Sequence, residues 1–213
     1  MKLFDLTLPI GPDMVTWPGA ASVRVDPLER IARGGAANVS ELRFGSHTGT
    51  HIDPPYHFVE GGATVDQLPL ESLMGRAWVC DMRGKVQIDV AELRDAIPAD
   101  TARLLLKTDN SALWHSGAHD FVEDFVVLTP AAARWIAARG DVRLLGMDYL
   151  SVEPPDSPGN PVHHALLEAG VAIVEGLDLS ALEGGWYNLW CLPLKVAGGD
   201  GAPVRAVASG PLE

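Results

Sequence analysis

Five apolar runs of strand length constrain this chain more than any other feature. They are residues 76–82 (RAWVCDM), 102–108 (ARLLLKT), 125–129 (FVVLT), 142–147 (VRLLGM) and 171–175 (VAIVE). Each is continuous rather than alternating, the pattern of strands buried on both faces of a parallel or mixed sheet. Helical segments fall among them. At 89–97, Asp89 can cap and Glu92 completes a capping box. At 130–139, Thr129 takes the N-cap, Pro130 the first helical position, and Gly140 lies just past the end. A third helix, 161–169, opens at Pro161 and closes at Gly170. Together these predict an α/β domain with a mixed, mostly buried sheet. Residues 2–8, 21–26 and 39–45 come without intervening helices, so they are expected to form an antiparallel or barrel-like layer. The last strand is expected over 187–194. A length of 213 residues suits one domain, 1–213.

Charge narrows the function classes. The 28 acidic residues against 16 basic ones leave a formal charge of -12, which repels phosphate backbones and anionic membranes. Nucleic acid and membrane are therefore not expected partners. No apolar stretch approaches the ~18 residues that span a bilayer, and the first ten residues are broken by Asp5 and Pro9, unlike a signal peptide. Cys80 and Cys191 sit in apolar runs without CxxC spacing and read as buried strand residues. These features predict a cytoplasmic protein.

Chemistry is concentrated in residues 45–58, Gly-Ser-His-Thr-Gly-Thr-His-Ile-Asp-Pro-Pro-Tyr-His-Phe. His47, His51, Asp53 and His57 fall within eleven positions, and imidazole nitrogen and carboxylate oxygen are the donors that zinc and manganese accept. A helix cannot bring His47 and His51 together here, because Gly49 interrupts it and Pro54-Pro55 follow. A straight strand separates them too far, at ~3.3 Å per residue. A bend at Gly49 would let His47, His51 and Asp53 converge, with His57 returning toward them. Downstream, His163 and His164 lie in the first turn of the predicted third helix, and Glu175 ends the following apolar strand. Adjacent helical residues point about 100° apart, so one of the two histidines faces any given site; spacing does not choose between them. A carboxylate ending Val-Ala-Ile-Val is costly to bury uncompensated, and a metal ion would compensate it.

The pattern His-x-Gly-Thr-His-x-Asp-x-Pro-x-His over 47–57, followed by His-His-x-Leu-Leu-x-x-Gly-x-x-Ile-x-Glu-Gly-Leu, resembles the metal-dependent cyclase family. That family includes bacterial kynurenine formamidases (arylformamidases) and isatin hydrolases. The resemblance runs from Trp17-Pro18-Gly19 to Pro203-Val204-Arg205-Ala206. It implies a swivelling β/β/α fold with a partly barrel-like sheet and peripheral helices, assembled as a homodimer or larger oligomer. It also implies that His47, His51 and Asp53 hold one ion and that His163, not His164, holds a second with Glu175. Asp53 and Glu175 would reach both ions, zinc foremost and manganese as the alternative. His57 becomes the general acid/base and Trp17 a wall of the substrate pocket. The formylkynurenine-cleaving branch is typically His-Thr-Gly-Ala-His-Ala-Asp-Ala-Pro, whereas Thr50, Ile52 and Pro54 are bulkier here. Glu175 favours the formamidase side, since isatin-cleaving relatives carry glutamine there.

The reaction this implies is hydrolysis of a small aromatic amide, N-formyl-L-kynurenine foremost, with cyclic amides such as isatin as the alternative. No Gly-x-Ser-x-Gly elbow is present to support a serine nucleophile. Trp186, Tyr187 and Trp190 read as core. His115 and His119 read as a solvated loop or active-site rim. Asp148, after Leu-Leu-Gly-Met at a strand end, is a candidate supporting residue.

Overall fold

The computed structural model describes residues 2–117 and 120–212. Ten strands form in chain order: β1 Lys2–Asp5, β2 Arg24–Glu29, β3 Val39–Arg43, β4 His51–Asp53, β5 Met74–Asp81, β6 Arg103–Lys107, β7 Leu144–Met147, β8 Ala172–Glu175, β9 Gly185–Pro193 and β10 Ala202–Gly210. The helices are α1 Leu70–Leu73, α2 Val90–Leu93, α3 Pro130–Arg139 and α4 Pro161–Glu168. Strands β5, β6, β7 and β8 run parallel; β4 pairs antiparallel to β8 and β10 to β4. Strand β9 joins β5 to β10, also antiparallel, which closes seven strands into a mixed barrel. Strand β1 adds to β10 outside the ring.

Period-2 alternation sorts the side chains. One apolar cluster takes residues from every barrel strand, among them Ile52, Val79, Leu105, Leu144, Val174, Leu189 and Ala206, and fills the interior. Their neighbours in sequence, such as Leu104, Leu106, Leu145 and Ile173, face outward. They pack under Ala132, Ala133 and Ile136 of α3 and Val162 and Leu166 of α4. Cys80 and Cys191 are buried and unpaired.

Three expectations need correction. Residues 125–129 are not a strand: beyond one bridge, Ile88 to Leu128, the run is irregular. Its backbone bonds go to loops instead, Leu128 N–H to Val152 and Val126 N–H to the Asn110 side chain. Nor is 187–194 the last strand, since β10 follows it and closes the barrel. The early segments also divide: β2 and β3 form a separate two-stranded sheet, while β1 joins the main one. Among the described residues, no helix is long and apolar enough to cross a membrane.

Candidate metal centre

Register builds the site. His51 on β4 lies directly opposite Glu175 on β8, and Ile52 opposite Val174. Since Ile52 and Val174 point into the barrel, alternation sends His51, Asp53 and Glu175 out of it, beneath α4. The chain reaches β4 through a turn with Gly49 at φ +64, the bend expected from sequence. Gly176, at φ +69, packs directly on the Gly49 carbonyl, and the Thr50 hydroxyl donates to the Gly176 carbonyl at 2.6 Å. After Asp53 the chain turns through a single 3-10 segment, Pro55–His57, which brings His57 back so that its ring stacks on His47 with centroids 3.9 Å apart.

Donor atoms converge on Asp53. His47 Nδ1 lies 2.7 Å from Asp53 Oδ1, and His51 Nε2 lies 3.4 Å from it. His51 Nε2 is also 3.4 Å from Glu175 Oε2. From α4, His163 Nε2 lies 3.2 Å from Glu175 Oε1 and 3.9 Å from Asp53 Oδ2. His47, Asp53 and His57 each offer an atom within 4.8 Å of the others, and so do His51, Asp53 and Glu175. Asp53 thus belongs to both groups. Its Oδ2 is buried with no hydrogen-bond partner, a costly state for an ionised oxygen. A buried, unpartnered carboxylate oxygen amid imidazole and carboxylate donors suits a divalent cation such as zinc or manganese.

The protonation pattern follows the same charges. Burial alone would lower His51 and His163, but the facing carboxylates outweigh it and push them up to about 9 and about 10. Burial would raise Asp53 and Glu175; the surrounding histidines outweigh it and keep both ionised. His57 differs. Burial holds it below its ordinary value, with only partial compensation from Asp53, so it is neutral at neutral pH.

A cavity of about 340 Å3 opens over these groups, walled by Trp17, Phe58, Leu150, Pro154 and Pro155. Trp17 is held edge-on by Phe121 at 5.1 Å. His164 points away from the cluster and pairs with Glu168, as the 100° offset between neighbouring helical residues requires. His115 is exposed and pairs with Asp178; His119 lies outside the described residues. Asp148 is fully buried, but its carboxylate accepts from the backbone and hydroxyl of Thr108 and Ser111 rather than from any site residue. Tyr187 is buried and Trp186 lies edge-on to Trp78, both away from the cavity lining.

Two carboxylates at the site escaped sequence reasoning. Glu153 Oε1 lies 2.5 Å from His163 Nδ1, and Asp200 Oδ2 lies 3.2 Å from His47 Nε2. Each contacts the far side of a histidine already in the cluster. Neither stands beside another ligand-type residue in sequence, so no local pattern marks them.

The chain is similar to known proteins over nearly its whole length. Residues 4–154 match the family model described as "Putative cyclase". A kynurenine formamidase of Salinibacter ruber is 36% identical over 209 residues, covering 97% of each chain. A solved structure described as a "predicted metal-dependent hydrolase" from Bacillus stearothermophilus superposes with TM-score 0.83 at 32% identity, covering 97% of each chain. Isatin hydrolase A from Labrenzia aggregata superposes with TM-score 0.83 at 25% identity, covering 97% of this chain and 93% of that one.

Proposed function

This chain belongs to the cyclase family, and on that premise we propose that it cleaves N-formyl-L-kynurenine to L-kynurenine and formate. It is a hydrolase acting on a carbon–nitrogen bond other than a peptide bond. The observation that carries the metal-dependent reading is the buried Asp53 Oδ2, partnerless at the centre of four histidines and a second carboxylate. His47, His51 and Asp53 would hold one divalent ion, and His163 and Glu175 a second, with Asp53 and Glu175 reaching both. Zinc is the first candidate and manganese the second. When bound, such ions lower the pKa of water toward ~7 and polarise a carbonyl oxygen.

The chain's own residues supply the rest. The Trp17 indole, with Phe58 and Leu150, presents an apolar wall for an aryl ring. His57, neutral and beside Asp53 and His47, takes a proton from the attacking water on an imidazole nitrogen. It returns that proton to the aniline nitrogen as the carbon–nitrogen bond breaks, sparing the departure of an anilide ion. The two half-transfers balance as amide plus water giving amine plus formic acid, which leaves as formate and a released proton. The enzyme would work as a homodimer or larger assembly in the cytoplasm.

Glu175 supports the formamide over the cyclic amide; the likeness to an isatin hydrolase supports the second reading. Comparing kcat/KM for N-formyl-L-kynurenine and isatin separates them. A clear preference for the formamide is expected, and a preference for isatin would replace it with ring opening.

A further inference from the structure

Glu153 is 2% exposed and lies outside the donor groups around Asp53. Its carboxylate is fully engaged by donors. Oε2 accepts from the Ser157 hydroxyl at 2.8 Å and from the Val162 backbone N–H at 3.2 Å. Oε1 accepts from the His163 backbone N–H at 3.3 Å and faces His163 Nδ1 at 2.5 Å. Val162 and His163 are the second and third residues of α4, whose N–H groups have no partner within the helix. Asn160, at the N-cap, has φ 45 and makes no side-chain cap bond. Glu153 therefore does the work of an N-cap from outside the helix, and the same carboxylate grips the ring of its third residue.

We propose that Glu153 is a positioning residue that fixes His163 as an Nε2 metal ligand. With Nδ1–H committed to Glu153, the tautomer that remains directs the Nε2 lone pair toward Glu175 and Asp53. Ring orientation is fixed at the same time, because the carboxylate is tied to the backbone that carries the ring. His51 is oriented by the same logic but with a neutral acceptor: its Nδ1 donates to the Gly49 carbonyl at 2.9 Å. An anionic partner raises the donor strength of the opposite nitrogen more than a carbonyl does. Binding of the ion served by His163 thus depends on a buried charge outside its own ligands, that of Glu153. With Asp200 beside His47, the cluster carries four carboxylates, Asp53, Glu153, Glu175 and Asp200, which match two divalent ions in charge.

The proposal rests on the metal reading above, and the test separates the two. Protein freed of metal would be titrated with zinc against a chromophoric chelator, for wild type, Glu153→Gln and Ser157→Ala. Glutamine keeps the shape but offers one acceptor oxygen where four donors converge. One zinc should bind about 10–100-fold more weakly in Glu153→Gln, with a smaller loss of the same kind in Ser157→Ala and no change at the other position. In wild type, 15N NMR should show an exchange-protected Nδ1 proton on His163, absent from Glu153→Gln. Folded Glu153→Gln with wild-type zinc affinity at every position overturns the proposal. Should that variant not fold, Ser157→Ala decides, and unchanged affinity there overturns it. Wild-type protein that takes up no zinc overturns the metal reading itself, a distinct outcome.

Discussion

Asp53 is the residue on which the site turns. It touches His47 and His51 through Oδ1 and leaves Oδ2 without a hydrogen-bond partner in a buried setting. Asp53→Asn removes the charge while keeping the shape. Elemental analysis should find the purified variant without bound zinc or manganese, and normal metal content would show that Asp53 is not a shared ligand. His57 predicts the opposite pairing of effects. Its neutral ring lies against His47, so His57→Ala should retain metal while kcat falls about 10²–10⁴-fold, the usual worth of a general acid/base. Near-normal turnover in metal-loaded His57→Ala removes it from the mechanism. The inner donors were legible in sequence because His47, His51, Asp53 and His57 crowd into one loop, and because Glu175 breaks an apolar strand. Glu153 was not, since a glutamate in Ser-Val-Glu-Pro-Pro looks like any solvated loop residue. Its partner lies ten residues on, and only the fold brings them together.

Among the elements, the contact between the loop before β4 and the end of β8 controls the geometry. Gly176 has φ +69, and a Cβ there would collide with the Gly49 carbonyl. Gly176→Ala should therefore destabilise by about 1–2 kcal/mol from backbone strain alone, and should also weaken zinc binding by shifting His51 relative to Glu175. Thr129→Ala is the matched comparison. Thr129 caps α3 by accepting from the Ala132 N–H and donates to Asp89, neither of them part of the donor cluster, so its loss should cost about 1 kcal/mol and leave zinc affinity unchanged. Thermal melts and zinc titrations on the two variants check both statements; equal effects on zinc would mean that Gly176 acts only through global stability. Helix α3 was readable to its ends because Thr129, Pro130 and Gly140 are local signals. Strand β10 was missed because Ala-Pro-Val-Arg-Ala-Val-Ala-Ser-Gly is dominated by small residues, which its position between β9, β4 and β1 demands. The run 125–129 misled for the converse reason: it is apolar because Val126 and Leu128 pack in the cluster beneath α3 and α4 and Phe125 packs on Tyr149, not because it joins a sheet.

At the scale of the molecule, apolar side chains from all seven strands fill most of the barrel interior, and the histidines and carboxylates of the cluster are gathered outside it beneath α4. A closed barrel removes the exposed edges that an open sheet must protect. It also gives β4 and β8 a rigid base from which to present donors. Removing the ions leaves Asp53 and Glu175 buried together, so chelation should lower the melting temperature. At free zinc about 100-fold above Kd the linkage is worth about 2.7 kcal/mol, roughly 5–10 °C for a chain of this size. A melting temperature indifferent to chelation would mean that the cluster is held by protons alone. The most direct test of the central claim is turnover of N-formyl-L-kynurenine before metal removal, after it, and after zinc or manganese is returned. Turnover that vanishes with the metal and returns in proportion to it is the predicted result. Undiminished turnover by protein shown to contain no metal would contradict it.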